Sequence, residues 1–134
     1  MEKIDITSFE NALNSLKLVI EVYNSDKANL ITRDSMIQRF EYTYSISLKM
    51  IKRFLANGAF IENVDDMTFN EMIRQANKMN LLESNLETWT NFRQKRNLTS
   101  HTYDERIALE VVEIIPAFSN EAQFLLNKLK ERLS

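Results

Sequence analysis

The chain has 134 residues, 44% of them hydrophobic, and a net charge of −2 at pH 7; this suits one domain with a proper core and excludes a disordered chain. The absence of cysteine rules out disulfides, thiolate catalysis and cysteine zinc sites, and the single Gly and single Pro favour long helices over a many-turned β fold. The acidic balance, with a pI of about 5.5, argues against a broad non-specific nucleic-acid surface, which needs excess Lys and Arg, but allows a small local basic site.

The sequence reads as five helices. Ser or Thr followed three residues later by Glu marks a helix start, because each side chain satisfies the other's backbone N–H. The pattern occurs at Thr7/Glu10, Thr68/Glu71, Ser84/Glu87 and Thr102/Glu105. The first helix spans about Ser8 to Tyr23, with Phe9, Leu13, Leu16, Ile20 and Tyr23 on one face. The second runs from Arg33 to Ala56 on a stripe of Ile37, Phe40, Tyr44, Leu48, Ile51 and Leu55, and Asn57-Gly58 supplies a stop. Ala59 to Met67 reads as a loop. The third helix covers Phe69 to Met79, with Met72, Ile73 and Ala76 inward.

The fourth helix, Asn85 to about Thr99, carries Leu86, Trp89 and Phe92. The fifth runs from Tyr103 to Leu133, and Ile107, Val111, Ile114, Phe118, Ala122, Leu125 and Leu129 keep one phase through it. Pro116 removes one backbone bond there, which predicts a kink near Val112–Pro116 rather than a break. No internal repeat, low-complexity segment or linker interrupts the chain. The expected architecture is all-α: a single domain over residues 1–134, an antiparallel up-and-down bundle of four long helices plus one short helix. No apolar run approaches the ~18 residues of a membrane span, and Met1-Glu2-Lys3-Ile4-Asp5 does not look like a signal peptide. The expectation is a soluble, cytoplasmic protein.

The chemistry concentrates in Arg96-Asn97-Leu98-Thr99-Ser100-His101-Thr102-Tyr103. His101 is the only histidine, so acid–base chemistry near neutral pH falls to it. At ~100° per residue Arg96 lies about 20° from Trp89 around its helix, which places it on the apolar stripe, where an arginine needs an anion, a carboxylate or a groove. His101 falls between the fourth and fifth helices, and the fifth helix aims its N-terminal N–H groups at that junction, a place that attracts anions. Arg96 could grip phosphate oxygens in a bidentate manner while His101 moves a proton. Taken singly, each residue has a plainer reading: an arginine paired with a carboxylate, a loop histidine, a packing tyrosine.

Arg96-Asn97-x-x-x-His101-x-Tyr103 resembles the Arg-x-x-x-x-His-x-Tyr signature of HEPN domains, the helical partners of minimal nucleotidyltransferases. Ile37-Gln38-Arg39-Phe40-Glu41-Tyr42-Thr43-Tyr44, with Lys49 behind it, resembles the second-helix pattern of the nucleotidyltransferase substrate-binding subfamily, and Trp89 followed by Arg96 to Glu105 resembles that subfamily's central block. The resemblance covers roughly Arg33 to Glu105. Two departures stand out: Ser47-Leu48-Lys49 replaces a common Trp before the Lys, and the loop from Ala59 to Met67 lacks a Pro-containing turn.

The resemblance implies a helical-bundle homodimer encoded beside a minimal nucleotidyltransferase (MNT). It implies a metal-independent ribonuclease toxin, with Arg96 and His101 catalytic, Asn97 supporting, and Tyr103 receiving AMP from the nucleotidyltransferase as antitoxin. The other reading of the subfamily is a non-catalytic subunit that binds substrate or nucleotide for the nucleotidyltransferase. Phe40, Glu41, Tyr44, Lys49 and Trp89 become possible groove residues. Glu41 has three possible partners: Arg39, Lys49 or Arg96.

Physical reasoning adds a condition. Metal-free RNA cleavage needs a base for the 2′-OH proton and an acid for the leaving 5′-oxygen. One histidine does not conveniently fill both roles, so a two-fold dimer that brings a second His101 to the cleft is expected. Other chemistries fare poorly. Glu62, Asp65 and Asp66 lack calcium-loop spacing. Ser100-His101 are mere neighbours, Gly58 does not make a phosphate loop, and the Gly-Ser turn and spaced aspartates of a nucleotidyltransferase are absent. No metal and no cofactor is expected.

Overall fold

The computed structural model describes residues 4–57 and 64–133. Its elements are α1 (Thr7–Ser25), α2 (Leu30–Asn57), α3 (Phe69–Lys78), α4 (Leu86–Asn97) and α5 (Glu105–Leu133), with 3-10 turns at Val64–Asp66 and Thr99–His101. No strand occurs among the described residues. Most of the expected loop from Ala59 to Met67, and Gly58 of the expected stop, lie outside them.

Side-chain pairings fix the topology. Ala12 meets Thr43 and Ser15 meets Arg39, so α1 and α2 are antiparallel. Lys17 reaches Gln123 and Glu10 reaches Lys130, so α1 and α5 are antiparallel. Glu41 faces Arg96 and Tyr44 faces Trp89, which makes α2 and α4 antiparallel as well. The helices α1, α2, α4 and α5 therefore form the expected up-and-down bundle, with short α3 packed against α2 and α4.

The core sits where the helical stripes converge. Phe118 on α5 packs edge-on against Phe40 at 5.2 Å and Phe92 at 5.3 Å between ring centroids. Trp89 packs edge-on against Phe92 at 5.3 Å. Each such pair adds about 0.5–1.5 kcal/mol beyond simple burial. Pro116 is exposed inside α5, and the helix runs unbroken through it. Because Val111, Phe118, Ala122 and Leu125 keep their phase on either side, packing holds the helix across the missing hydrogen bond.

Three of the four expected capping pairs do not form. Only Thr68 caps its helix, accepting from the Glu71 N–H at 3.1 Å. At α1, Thr7 is itself helical and its N–H donates to Asp5. At α4 the cap is Asn85, which accepts from Thr88, not Ser84. At α5 it is Asp104, which accepts from Arg106 at 3.0 Å, while the Thr102 hydroxyl donates to the Thr99 carbonyl. At α4 and α5 a nearby Asn or Asp, at least as good a cap as Ser or Thr, takes the position, whereas at α1 the cap position falls on Ile6, which has no side-chain cap bond.

Candidate functional site

The site is the junction where α4 ends and α5 begins, roofed by the middle of α2. The backbone turns there through Leu98, the 3-10 turn Thr99–His101, and the Asp104 cap; the His101 N–H donates to Leu98 at 2.9 Å and the Asp104 N–H to His101 at 3.1 Å.

Arg96 stands in the last turn of α4, with its Nη2 3.7 Å from Glu41 Oε1. The other Glu41 oxygen accepts from the Thr99 hydroxyl at 2.8 Å. One carboxylate on α2 thus ties together the arginine and the turn that leads to His101. This settles the partner of Glu41 as Arg96; Arg39 donates instead to the Ser15 carbonyl at 2.7 Å. The Arg96 side chain is 37% exposed. Its angular position matches Trp89 as expected, but it lies seven residues further on, about 10 Å along the axis, at the rim of the core rather than in it.

His101 is exposed, and Tyr103 is 86% exposed. Their rings meet edge-on with centroids 6.1 Å apart. Asn97 is exposed on the last turn of α4, and Lys49 is exposed on α2. Both arms of the motif therefore present polar groups to solvent, where a large ligand can reach them. A shallow cleft of about 280 Å³ between α4 and α5, lined by Asn91, Lys95, Glu110, Glu113 and Ile114, contains none of these residues.

Three of the possible groove residues are core residues. Phe40 and Trp89 are fully buried, and Tyr44 is 3% exposed. Helix α2 turns its Phe40/Tyr44 face inward and leaves Glu41 and Lys49 on the face that a ligand can touch. The Tyr44 hydroxyl is buried without a hydrogen-bond partner among the described residues. Burial pushes its pKa up to about 12, against the opposing pull of Arg93 and Arg96.

The α5 N-terminus is not the expected anion site. Asp104 accepts from the first-turn N–H groups of Arg106 and Ile107, and Glu105 follows it. Two carboxylates already occupy the positive end of the helix dipole. Glu105 in turn receives Arg33 at 2.7 Å, so the first turns of α2 and α5 are clamped together. The hydrogen bond from Arg33 holds the Glu105 carboxyl below its ordinary pKa, and the same bond raises the pKa of Arg33.

Neither Arg33 nor Thr99 stood out in the sequence, because their partners lie 72 and 58 positions away. Buried Glu121 was also missed; it accepts from Trp89 Nε1 at 2.7 Å and from Ser84. Its signal was available, since it keeps the phase of Phe118 and Leu125 on the α5 stripe. The acidic pair Asp65 and Asp66 is exposed, with Asp65 bound to Lys52 at 2.7 Å. Among the described residues no group of His, Asp and Glu side chains is arranged to hold a metal ion, and no helix is long and apolar enough to cross a membrane.

Comparison with known proteins decides the family. The profile described as "Nucleotidyltransferase substrate binding protein like" matches residues 4–131. The chain belongs to this nucleotidyltransferase substrate-binding family. It is 34% identical to a Haemophilus influenzae protein named "Probable ribonuclease HepT", over 98% of this chain and 95% of that one. A solved Haemophilus influenzae structure, reported to reveal the fold of a substrate binding domain of a nucleotidyltransferase, superposes with a TM-score of 0.87 at 30% identity. That match covers 94% of this chain and 99% of the other. A crystal structure from Thermus thermophilus matches with a TM-score of 0.73 at 28% identity, over 90% of this chain and 98% of that one. The family match spans α1 to α5, so the junction with Arg96, His101 and Tyr103 lies wholly inside the shared fold.

Proposed function

We propose that this chain is a metal-independent ribonuclease of the HEPN type, acting as a homodimer and serving as the toxin of a pair whose antitoxin is a minimal nucleotidyltransferase. The observation that carries this reading is an exposed His101 at the end of the turn that follows α4, with Arg96, in the last turn of α4, and Thr99 of that same turn both tied to Glu41. In the proposed reaction the RNA 2′-oxygen loses its proton to a base and attacks the adjacent phosphorus. The bond to the 5′-oxygen breaks, and that oxygen takes a proton from an acid. His101 from each of two protomers fills the two roles, and Arg96 holds the phosphate oxygens as charge builds on them. Asn97 supports the arginine from the same helical turn.

Tyr103 suits the modification site because its ring is open to solvent and lies edge-on to His101. AMP on its hydroxyl would set a bulky anion against the imidazole and repel the RNA backbone.

The test is RNA cleavage by the purified chain in excess EDTA, alongside His101→Ala, with the oligomeric state measured by light scattering. Cleavage that His101→Ala abolishes is expected, from a dimer. Full-rate cleavage by a monomer would overturn the two-histidine mechanism. Adding the nucleotidyltransferase and ATP should increase the mass of wild type by one AMP and leave Tyr103→Phe unchanged.

A second reading, a substrate- or nucleotide-binding subunit without chemistry of its own, is favoured by the description of the Haemophilus influenzae structure and by the net charge of −2. Absence of cleavage by wild-type protein whose Tyr103 is shown to be unmodified would select it.

A further inference from the structure

Arg93 lies one helical turn before Arg96 on α4, and its guanidinium sits over the ring of Phe69, the first residue of α3, at 4.7 Å from the centroid. Stacking of this kind fixes the plane of the guanidinium at little entropic cost. It occupies the flat face only, so the N–H donors that radiate in the plane stay available for a bidentate grip on an oxyanion. No carboxylate among the described residues forms an ion pair with Arg93, whereas Arg96 shares its charge with Glu41.

A second observation places both arginines on one side of α4. Their i, i+3 spacing sets them together, and Arg96 on that side meets Glu41 of α2. The antiparallel register extends the line: Glu41 opposes Arg96, and one turn further along α2 Tyr44 packs beside Trp89, so Arg93 falls between these two contacts. The two arginines are thus set beside the α2–α4 seam one helical turn apart, about 5–6 Å between side-chain roots, a spacing comparable to that of successive phosphates along a single strand.

We propose that Arg93, braced on Phe69, is a second phosphate-binding residue. It takes the phosphodiester next to the one held at Arg96 and His101, so that single-stranded RNA runs along the α2–α4 seam from the junction towards α3. This rests on the ribonuclease reading for the identity of the strand, and it assigns the direction in which the strand leaves the site.

The experiment uses full-length His101→Ala protein, so that RNA survives, and a fluorescein-labelled single-stranded octaribonucleotide titrated at several salt concentrations. Adding Arg93→Ala should weaken binding about tenfold at low salt, as expected for loss of a charged hydrogen-bonding group, and should lower the salt slope by about 0.7, the value for one phosphate contact on a single strand. Arg93→Lys should keep the slope but not the affinity, because it retains the charge and loses the bidentate geometry. Phe69→Leu should likewise keep the slope and weaken binding. Lys27→Ala, in the α1–α2 turn, serves as the control and should change neither.

Arg93→Ala binding with the slope and affinity of the Lys27→Ala control would overturn the proposal, as would no measurable RNA binding by His101→Ala at low salt. Wild-type cleavage in EDTA reports separately on the nuclease. Binding that depends on Arg93 without any cleavage keeps this subsite and removes the nuclease; cleavage with binding indifferent to Arg93 does the reverse.

Discussion

The indole Nε1 of Trp89 on α4 donates to the carboxylate of Glu121 on α5 at 2.7 Å, and Glu121 is only 3% exposed. The same carboxylate accepts from the Ser84 N–H and hydroxyl, so it joins the start of α4 to the middle of α5 without a cation. A buried acceptor of this kind is costly to remove, because its donors then stay desolvated and unpaired. We predict that Glu121→Ala, which leaves the Trp89 and Ser84 donors unpaired, destabilises the fold by several times about 1 kcal/mol, and Glu121→Gln by about 1–3 kcal/mol, since the amide retains one acceptor. Urea unfolding followed by the fluorescence of Trp89, the sole tryptophan, measures both and reports from the site of the bond. Equal stability of all three proteins would refute the bridging role.

Glu121 also shows where the sequence stops being legible. The helical phases of Phe40, Trp89, Phe118 and Leu125 depend on local spacing, and all four are buried as the stripes require. The motif from Arg96 to Tyr103 could be placed at a helix junction for the same reason. A carboxylate in phase with Phe118 stays ambiguous until its donor, 32 residues away, is brought to it. Arg33 and Thr99 were hidden likewise, since nothing near them in sequence names Glu105 or Glu41. The caps failed for a different reason. Asp, Asn, Ser and Thr compete within a few tenths of a kcal/mol, so neighbouring candidates at 84 and 85, or 102 and 104, cannot be ranked without backbone geometry.

The Arg33–Glu105 clamp predicts a pH dependence. The Glu105 pKa lies below its ordinary value of 4.5 in the folded chain. A depressed carboxyl contributes stability that is fully present above the unfolded pKa and is lost as pH falls through the folded pKa. Arg33, with its pKa raised, keeps its charge throughout this range. Wild type should therefore exceed Glu105→Gln in urea midpoint by a constant margin above about pH 4.5, and the two should converge in more acid solution. Parallel profiles down to pH 2 would show that the clamp contributes nothing through its charge.

Tyr44 predicts the opposite limb. Its hydroxyl is buried and unpartnered among the described residues, so Tyr44→Phe removes a desolvated polar group at almost constant shape. The variant should be at least as stable as wild type at pH 7, by up to about 2 kcal/mol. A raised pKa contributes stability that is present below the ordinary value of 10.0 and lost as pH rises towards about 12. Thermal unfolding between pH 8 and 11 should therefore show a shallower alkaline decline for Tyr44→Phe than for wild type. A variant clearly less stable at pH 7 would mean that the hydroxyl has a native partner.

Glu41 separates positioning from stability. Its carboxylate holds Arg96 at 3.7 Å and Thr99 at 2.8 Å, yet its side chain is 42% exposed. A half-exposed ion pair of this kind contributes less than about 1 kcal/mol to folding, so Glu41→Ala should unfold close to wild type. A misplaced arginine is another matter, because orientation errors on the order of 1 Å cost as much as a hundredfold in rate. We predict that Glu41→Ala lowers kcat/KM for RNA cleavage in EDTA by about 10- to 100-fold, and that Glu41→Gln, which still accepts from Thr99, recovers part of the loss. A gain in rate would instead mean that Glu41 competes with phosphate for Arg96, and the carboxylate would then be a brake on the site rather than its brace.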